Sequence, residues 1–397
     1  MKIVMPDKVS QTSLRMFQEH GFTVIQNPGL KIEECNALVQ DADAVVVRSY
    51  NLRDLHLNDS LKAIGRAGVG VNNIPVDRCS EKGVVVFNTP GANANAVKEL
   101  VLCGLFLSSR GIVEGVRWVL RQKDFGHEVP RSVEENKRQF RGEEIKGRTL
   151  GVIGLGAIGV LVANDAIALG MNVMGYDPYI SVANAWMLSR DVKKTENLES
   201  IFKNSDYLTV HVPLNEDTRQ MLNREAFAVV KRGVKILNFT RDEIVHTGDL
   251  IEALKEGRVG KYVTDFPGHD LIGVEGVIPM PHLGASTAEA EENCAVMITN
   301  QLVDFLKNGN ITNSVNLPNC ELERGGDTRI TVINKNVPRM IEEITEVLAE
   351  KDLNIEEMIN KSKGTIAYNI LDISGAVNEE ILEKIRAING VVKARML

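Results

Sequence analysis

A histidine, an arginine and a glycine-rich segment are the parts of this 397-residue sequence best suited to chemistry. His282 stands in PHLGAST, and histidine is the side chain whose ordinary pKa allows proton exchange near neutral pH. Arg241 follows the apolar run VKILNFT, and a guanidinium can hold a carboxylate through two parallel hydrogen bonds. With a bound hydride acceptor, these two groups would suit the oxidation of a 2-hydroxy acid, because one takes the hydroxyl proton and the other holds the carboxylate.

The glycine-rich segment has the pattern of a dinucleotide-binding turn. Gly154, Gly156 and Gly159 form GxGxxG between the apolar run 149–153 and an apolar helical stretch. The first glycine permits a tight turn, the second lets the backbone approach a pyrophosphate, and the third lets the helix pack on the strand. Free N–H groups at the helix start would hold the phosphates. Asp177, 18 residues after Gly159, would bind the ribose hydroxyls, which favours NAD over NADP.

Further polar residues follow apolar runs, which places them at the sheet edge where open α/β folds bind ligands. Asp265 ends the strand predicted in KYVTDFP, Asp270 lies just beyond it, and His211 ends the strand-like part of TVHVPL. His211 could line the cofactor site, but a packing role fits its position equally well. Arg241 could likewise pair with neighbouring Asp242 instead of with a ligand.

The elements that must position these residues alternate between short strands and helices. In the first 90 residues the runs KIVM, FTVIQ, AVVVRS, LKAIGRAG and VVVFNTP predict a parallel α/β sheet. From residue 149 TLGVIGLG, NVMGYD, YLTVHVP, VKILNFT and KYVTDFP predict a second doubly wound sheet. One long helix is predicted over Lys98–Leu120, followed by a polar surface connection. The last 70 residues follow a βαββαβ order and predict a small α+β module.

Composition excludes several classes of function. The 46 Lys and Arg against 53 Asp and Glu give a net charge of −7, which argues against nucleic acid and anionic membranes as partners. Five cysteines in no CxxC pattern predict neither a disulfide framework nor a metal site, and they fit a reducing compartment. The N-terminus lacks the apolar core of a signal peptide, and no apolar run reaches the length of a membrane span. We therefore expect a cytoplasmic protein.

Taken together, these features resemble the D-isomer-specific 2-hydroxyacid dehydrogenases, in the short form that carries a C-terminal ACT domain. The resemblance covers essentially the whole chain, and its most specific segments are RAGVGVNNIPVD (66–77), NTPGANANAVKELV (88–101), GVIGLGAIG (151–159), NFTRDEIV (238–245), VTDFP (263–267) and PHLGAST (281–287). It implies a Rossmann NAD domain, 93–287, inserted into a flavodoxin-like substrate domain, 1–92 and 288–318. An ACT-like regulatory domain, 329–397, would follow.

The resemblance also implies roles for single residues. Arg241 would bind the substrate carboxylate and His282 would be the acid/base. Its acidic partner would be Asp270, where the family commonly has Glu, with Glu275 as a substitute. The family's cofactor positions correspond to Gly154, Gly156, Ala157, Ile158, Gly159, Asp177, Phe239, Thr240, Arg241, Asp265, His282, Leu283, Gly284 and Ala285. Its substrate positions correspond to Arg48, Ser49, Val69, Gly70, Asn93 and Arg241, although Arg48 could equally be a solvated strand end.

The implied activity is NAD-dependent oxidation of 3-phospho-D-glycerate to 3-phosphohydroxypyruvate, the first step of L-serine biosynthesis. Two alternatives stay open: a dehydrogenase for another D-2-hydroxy acid such as 2-hydroxyglutarate, and a non-catalytic dinucleotide-sensing protein. A homo-oligomer, dimer or tetramer, is expected by analogy.

The ACT-like tail implies an amino-acid effector. Asn336 and Asn354 match ligand-contacting positions of that module. Asn334, however, replaces a His of serine-inhibited relatives, and Arg339 replaces a Gly. A long side chain would crowd a bound amino acid there, so we expect inhibition by serine to be weak or absent.

Overall fold

The computed structural model describes all 397 residues, and the chain divides into two structural units. The first comprises Met1–Ala92 and Glu291–Leu397, and the second comprises Asn93–Ala290. A five-stranded and a four-stranded sheet belong to the first unit, and a seven-stranded sheet belongs to the second. The domain boundaries expected from the sequence stay predictions.

The five-stranded sheet of the first unit is parallel, with the flavodoxin-like order β2-β1-β3-β4-β5. Its strands are β1 (Lys2–Met5), β2 (Thr23–Gln26), β3 (Ala44–Val47), β4 (Ala63–Arg66) and β5 (Val85–Phe87). The helices between them are α1 (Gln11–Glu19), α2 (Ile32–Val39) and α3 (Val76–Glu81). Every residue of β3 is buried, as expected for a central parallel strand covered on both faces.

The seven-stranded sheet of the second unit is also parallel, with the order β12-β11-β10-β9-β6-β7-β8. Its strands are β6 (Thr149–Ile153), β7 (Asn172–Tyr176), β8 (Lys193–Lys194), β9 (Tyr207–Val210), β10 (Val234–Asn238), β11 (Val259–Thr264) and β12 (Val277–Pro279). The strand order reverses at β6, the switch point at which doubly wound folds bind ligands. Both predicted parallel sheets are thereby confirmed.

Helices α4 to α11 belong to the second unit, and α12 runs on into the first. Their bounds are α4 (Ala94–Ser109), α5 (Ile112–Leu120), α6 (Val129–Asn136), α7 (Ala157–Ala168), α8 (Val182–Met187), α9 (Leu198–Asn204), α10 (Arg224–Val229), α11 (Thr247–Lys255) and α12 (Ala288–Asn308). None of the helices combines the length and the apolar character needed to cross a bilayer.

The prediction of one continuous helix over Lys98–Leu120 is wrong. Arg110 is extended, with φ −120° and ψ 145°, and it separates α4 from α5. A Cβ on Gly111 would lie 2.9 Å from the carbonyl oxygen of Phe140, so the chain beyond α6 packs against this break. The apolar spacing continues through both helices, which is why the pattern does not reveal the interruption.

The C-terminal residues form a four-stranded antiparallel sheet with two helices. In chain order they are β13 (Thr328–Lys335), α13 (Met340–Ala349), β14 (Ile355–Lys363), β15 (Ile366–Ile373), α14 (Glu379–Ala387) and β16 (Val391–Met396). The sheet order is β14-β15-β13-β16, so the βαββαβ prediction is confirmed. Its identity as an ACT domain stays a prediction.

One face of this sheet packs on α13 and α14, and the other packs on the rest of the first unit. On the second face Arg329 is fully buried, and its guanidinium donates to both carboxylate oxygens of Asp372 at 2.6 and 2.7 Å. The same guanidinium donates to the carbonyls of Asn308, at the end of α12, and Leu322, each at 2.9 Å. The Tyr368 hydroxyl donates to the carbonyl of Gly309 at 2.6 Å. The sheet is therefore tied to the end of α12 by buried, fully bonded polar groups.

We expect Asp372→Asn to destabilise the protein by about 3–5 kcal/mol, because it leaves the Arg329 charge buried without a counter-ion. Burial alone would raise the pKa of Asp372, but Arg329 and backbone donors lower it. The pair therefore stabilises the fold above about pH 4 and loses that effect as the pH falls further.

Urea denaturation at pH 7 and at about pH 2.5 measures this contribution. Glu342→Gln, which breaks the exposed pair with Arg339, is the matched control and should cost much less. Equal losses in the two variants would contradict the buried role of Asp372.

Candidate active site

The glycine-rich turn lies between β6 and α7, at the switch point of the seven-stranded sheet. Gly154 has φ +91°, and a Cβ there would lie 2.7 Å from the carbonyl oxygen of His211. A Cβ on Gly159 would overlap the carbonyl oxygen of Gly154. The protein's own packing therefore requires both glycines. By contrast, a Cβ on Gly156 would meet no protein atom within 4 Å, so open space lies beside this backbone.

The start of α7 and the end of β7 both face this turn. Gly156 precedes α7 without any side-chain cap, which leaves the first helical N–H groups free for an anion. The two carboxylate oxygens of Asp177 accept hydrogen bonds from the N–H groups of Leu155 and Tyr179, both at 2.8 Å. Each oxygen keeps a further lone pair for a hydroxyl group. An open glycine turn, free helical donors and an anchored carboxylate fit a bound dinucleotide.

The turn that carries Arg241 is shaped by Asn238, the buried last residue of β10. The Asn238 side-chain oxygen accepts hydrogen bonds from the N–H and hydroxyl of Thr240, at 3.1 and 2.7 Å. Its amide donates to the carbonyl of Arg241 at 2.7 Å. The Arg241 guanidinium donates to the Thr240 carbonyl at 2.6 Å and forms no ion pair with Asp242. The sequence-based alternative of an Arg241–Asp242 pair is therefore not found.

Phe266 brings Arg241 and His282 together. The Arg241 guanidinium lies 5.5 Å from the centroid of the Phe266 ring. The centroids of the Phe266 and His282 rings are 4.2 Å apart. The sequence analysis assigned no role to Phe266 or Asn238. Each stands at a strand end, and a non-aliphatic residue within an apolar run is the signal that could have revealed them.

Asp265 follows β11 and anchors the segment that contains His282. It is only 1% exposed, and one of its carboxylate oxygens accepts a hydrogen bond from the N–H of Gly284 at 2.9 Å. The other oxygen is buried without a partner in the protein. Burial raises the pKa of Asp265, and the Gly284 N–H and the charge of His282 oppose this only in part. A buried acceptor without a donor suits a ligand that supplies one.

Asp270 and Glu275 are both exposed, and neither forms a hydrogen bond or ion pair with His282. Asp270 lies in the short 3₁₀ turn His269–Leu271 that follows Asp265. Its role as the acidic partner of His282 therefore stays a prediction. The charge of His282 acts to lower the pKa of Asp265, although burial outweighs it.

In the first unit, Arg48 and Ser49 directly follow β3, and Asp7 holds their backbone. One carboxylate oxygen of Asp7 accepts hydrogen bonds from the N–H groups of Arg48, Ser49 and Tyr50 at 3.0, 2.6 and 2.8 Å. Burial would raise the pKa of Asp7, but these donors outweigh it and lower the pKa. The Arg48 guanidinium, 42% exposed, pairs with Glu291 at 2.7 Å, so the pair is largely solvated and Arg48 as a substrate residue stays a prediction.

The remaining substrate positions lie in loops. The carbonyl of Val69 accepts a hydrogen bond from the Asn88 amide at 2.7 Å, and Gly70 follows it in the loop after β4. In the second unit, Asn93 precedes α4 without capping it by its side chain. The amide of Asn93 is therefore free to bind a ligand.

His211 differs from His282 in its surroundings. One ring nitrogen of His211 bonds with the Thr209 hydroxyl at 2.9 Å, and the other is buried without a partner. Burial lowers the pKa of His211 to about 3, so this ring is neutral at physiological pH. The exposed His282 is the better placed of the two for proton exchange.

The sequence is similar to those of known proteins. The family model described as "D-isomer specific 2-hydroxyacid dehydrogenase, NAD binding domain" matches residues 103–284. The D-3-phosphoglycerate dehydrogenase of Methanocaldococcus jannaschii is 33% identical over 415 residues, which cover 98% of this chain and 76% of that protein. The rat enzyme of the same name is 35% identical over 324 residues, which cover 79% of this chain and 58% of the rat protein.

Solved structures agree with the fold. The 3-phosphoglycerate dehydrogenase of Entamoeba histolytica with bound NAD⁺ has a TM-score of 0.61 and 26% identity, covering 80% of this chain and 98% of that chain. The D-mandelate dehydrogenase of Rhodotorula graminis, at 23% identity and a TM-score of 0.67, covers 79% of this chain and 97% of that chain and shows the fold alone.

A doubly wound sheet with a dinucleotide turn, an arginine and a histidine defines an NAD-dependent dehydrogenase. The chain belongs to the D-isomer-specific 2-hydroxyacid dehydrogenase family. The matched domain is the family's NAD-binding domain, which confirms NAD as the cofactor.

We expect the His211 ring to stay neutral between pH 8 and pH 5. The unfolded chain binds a proton at about pH 6.5 and the folded chain only near pH 3. This histidine therefore stabilises the fold fully above about pH 6.5, and the stabilisation is lost as the pH falls toward 3. NMR titration of the imidazole nitrogens, with His211→Gln used to assign the signal, measures the protonation. A protonation midpoint of the His211 ring between pH 5 and pH 8 would show that water reaches this ring.

Proposed function

We propose that the chain oxidises 3-phospho-D-glycerate to 3-phosphohydroxypyruvate with NAD, the first step of L-serine biosynthesis. The observation that carries this proposal is the contact of Phe266 with both Arg241 and His282, on the sheet that carries the open Gly156 turn. Relatives named D-3-phosphoglycerate dehydrogenase, aligned over 98–100% of the chain in three cases, support the phosphorylated substrate.

NAD supplies one part of the chemistry, since the bound nicotinamide accepts the hydride from C2 of the substrate. The free N–H groups at the start of α7 would hold the pyrophosphate beside Gly156, and Asp177 would hold a ribose. The buried oxygen of Asp265 without a partner would accept a hydrogen bond from the cofactor. Phe239, Thr240 and the segment 283–285 complete the proposed cofactor set.

The remaining chemistry belongs to the protein's side chains. The Arg241 guanidinium would clamp the substrate carboxylate through two hydrogen bonds, which orients C2. A ring nitrogen of His282 would take the hydroxyl proton as general base. Phe266 would fix the spacing of these two groups and keep water from them. Asp270, or Glu275, would stabilise the charge that His282 gains.

Arg48, Ser49, Val69, Gly70 and Asn93 form the rest of the proposed substrate set. Arg48 is the cation suited to a phosphate group, and its pair with Glu291 keeps the guanidinium extended until a stronger anion replaces the carboxylate.

NADH formation at 340 nm tests the function directly. We expect 3-phospho-D-glycerate with NAD to react faster than lactate, 2-hydroxyglutarate or any of the three with NADP. His282→Ala should lower kcat/KM by about 10²–10⁴-fold, because it removes the general base. His269→Ala removes an exposed histidine near the same edge and should leave the rate close to that of the native protein.

Three results would overturn the proposal. A faster reaction of another hydroxy acid would make the chain a dehydrogenase for that acid. Binding of NADH without any turnover would support a dinucleotide sensor. Equal rates for the His282→Ala and His269→Ala variants would remove His282 as the base.

Homo-oligomerisation is a second part of the proposal. Ile112, Val116, Val119 and Leu120 recur at helical spacing on α5 and are exposed, Leu120 by 73%. A contiguous apolar helix face of this kind marks a protein interface. Light scattering should give at least twice the 43.8 kDa chain mass. Leu120→Glu should lower this mass and Arg117→Gln should not, whereas a monomeric native protein would contradict the proposal.

Weak control by serine is a third part. Asn334 is 1% exposed, accepts a hydrogen bond from Asn369 at 2.6 Å and donates to a backbone carbonyl, so it is unavailable to an effector. Arg339 occupies a left-handed backbone position, φ +74°, that glycine adopts readily, and pairs with Glu342. Serine should change initial rates by less than about fivefold, and Arg339→Gly should increase the response. Strong inhibition of the native protein by low serine concentrations would refute this.

A cytoplasmic location completes the proposal. All five cysteine thiols are unpaired, which suits a reducing compartment.

A further inference from the structure

The loop between α14 and β16 contains Asn389–Gly390, one of the two Asn-Gly pairs in the sequence. The other pair, Asn308–Gly309, lies at the end of α12. Asparagine loses ammonia most readily when glycine follows it, because glycine has no Cβ to shield its backbone nitrogen. Neither pair belongs to the proposed cofactor or substrate sets. The two pairs differ in burial and in hydrogen bonding, so their reactivity should differ as well.

The turn at Asn389–Gly390 leaves both reacting groups free. Asn389 is exposed, and neither its side chain nor the Gly390 N–H forms a hydrogen bond within the chain. Two other bonds hold the turn. The N–H of Val391 donates to the carbonyl of Ile388 at 3.0 Å, and the N–H of Lys335 donates to the carbonyl of Gly390 at 2.8 Å. The Asn389 amide and the Gly390 nitrogen can therefore meet after a local opening of one exposed turn.

The second pair, Asn308–Gly309, is held at the same atoms. The Asn308 amide donates to the Asp304 carboxylate at 2.7 Å, and the Gly309 N–H donates to the carbonyl of Phe305 at 3.0 Å. Gly309 is buried, and a Cβ there would lie 2.5 Å from Cγ2 of Thr331. The nitrogen that would attack is thus hydrogen-bonded and tightly packed. This pair is a matched control, of the same dipeptide type, within the same chain.

We propose that Asn389 is a site of spontaneous covalent modification, at which asparagine converts to isoaspartate and aspartate. The Gly390 nitrogen gives up its proton and attacks Cγ of Asn389. A bond forms between these two atoms, the bond from Cγ to Nδ2 breaks, and Nδ2 leaves with a proton as ammonia. Water then opens the resulting succinimide at either of its two carbonyls. Water is the only co-reactant, nothing is oxidised or reduced, and each product carries one added negative charge.

The modification acts on the connection between β13 and α13. The Gly390 carbonyl accepts its hydrogen bond from Lys335, the last residue of β13. A Cβ on Gly390 would lie 3.0 Å from the sulfur of Met340, the first residue of α13. Isoaspartate adds one methylene to the backbone directly before Gly390, which displaces this carbonyl from the Lys335 N–H. The connection that carries Asn336 and Arg339 thereby becomes looser, whether or not an effector binds there.

Peptide mapping by mass spectrometry, after the full folded chain has stood in mildly alkaline buffer, tests the site. We expect Asn389 to gain about one mass unit, as its NH₂ is replaced by OH. The reaction at Asn389 should be at least about tenfold faster than at Asn308, because the buried pair reacts only after the end of α12 opens. In urea, which unfolds both segments, the two rates should be similar. Asn389→Gln should not react, because its longer side chain would have to close a larger ring.

Three results would overturn the site. Equal rates at the two pairs in the folded chain would mean that the free groups at Asn389 have no effect. Reaction of both pairs in urea, with none in the folded chain, would mean that the turn does not open. A product that contains aspartate but no isoaspartate would exclude the succinimide, which opens at both carbonyls. A methyltransferase specific for isoaspartyl carboxylates distinguishes the two products.

Hydrogen exchange of the Lys335 N–H tests the consequence. The chain with isoaspartate at this position is separated by ion exchange and compared with Asn389→Asp, which has the same added charge and a normal backbone. We expect the Lys335 N–H to exchange at least about tenfold faster in the isoaspartate form, and Asn389→Asp to retain the exchange rate of the native chain. Equal exchange rates in the isoaspartate form and Asn389→Asp would overturn the proposed loosening.

Discussion

The hydrogen bond from the Gly284 N–H to buried Asp265 is the interaction on which the candidate site depends. His282 lies on the loop between β12 and α12, and its side chain is exposed. A Cβ on Gly284 would lie 3.2 Å from the same carboxylate oxygen, so glycine permits the close approach. The carboxylate in turn sits at the end of β11, the most rigid support that a parallel sheet offers.

The same device recurs at other strand ends. Asp7 after β1 and Asp177 after β7 accept hydrogen bonds from the N–H groups of neighbouring loops, and Asn238 at the end of β10 accepts one from the N–H of Thr240 in its own turn. Loops at the carboxyl edge of a parallel sheet have backbone donors that no strand satisfies. A short acceptor side chain at each strand end supplies the missing partner and makes the loop rigid. The proposed cofactor and substrate positions are thereby held before any ligand arrives, which would lower the entropic cost of binding.

Features with a local cause were predictable from the sequence. The β-branched runs, the GxGxxG turn and the βαββαβ order each follow from residue spacing, and the strands appear where these runs stand. Features that depend on distant neighbours were not. Phe266 acquires its role only because Arg241 and His282 approach it from other strand ends. Arg329 is a charged residue in a strand, and its burial depends on Asp372 and the end of α12. The break between α4 and α5 depends on Phe140, which follows much later in the chain.

We infer that Asp265 positions the His282 segment by accepting the hydrogen bond from the N–H of Gly284. The most direct measurement is kcat/KM for 3-phospho-D-glycerate in Asp265→Asn and Asp265→Leu. Asn keeps an oxygen acceptor for the Gly284 N–H, whereas Leu has similar volume and no acceptor. We expect Asp265→Leu to lose about 10²-fold, the cost of a displaced catalytic group, and Asp265→Asn to lose much less. Equal kcat/KM values in the two variants would contradict the claim.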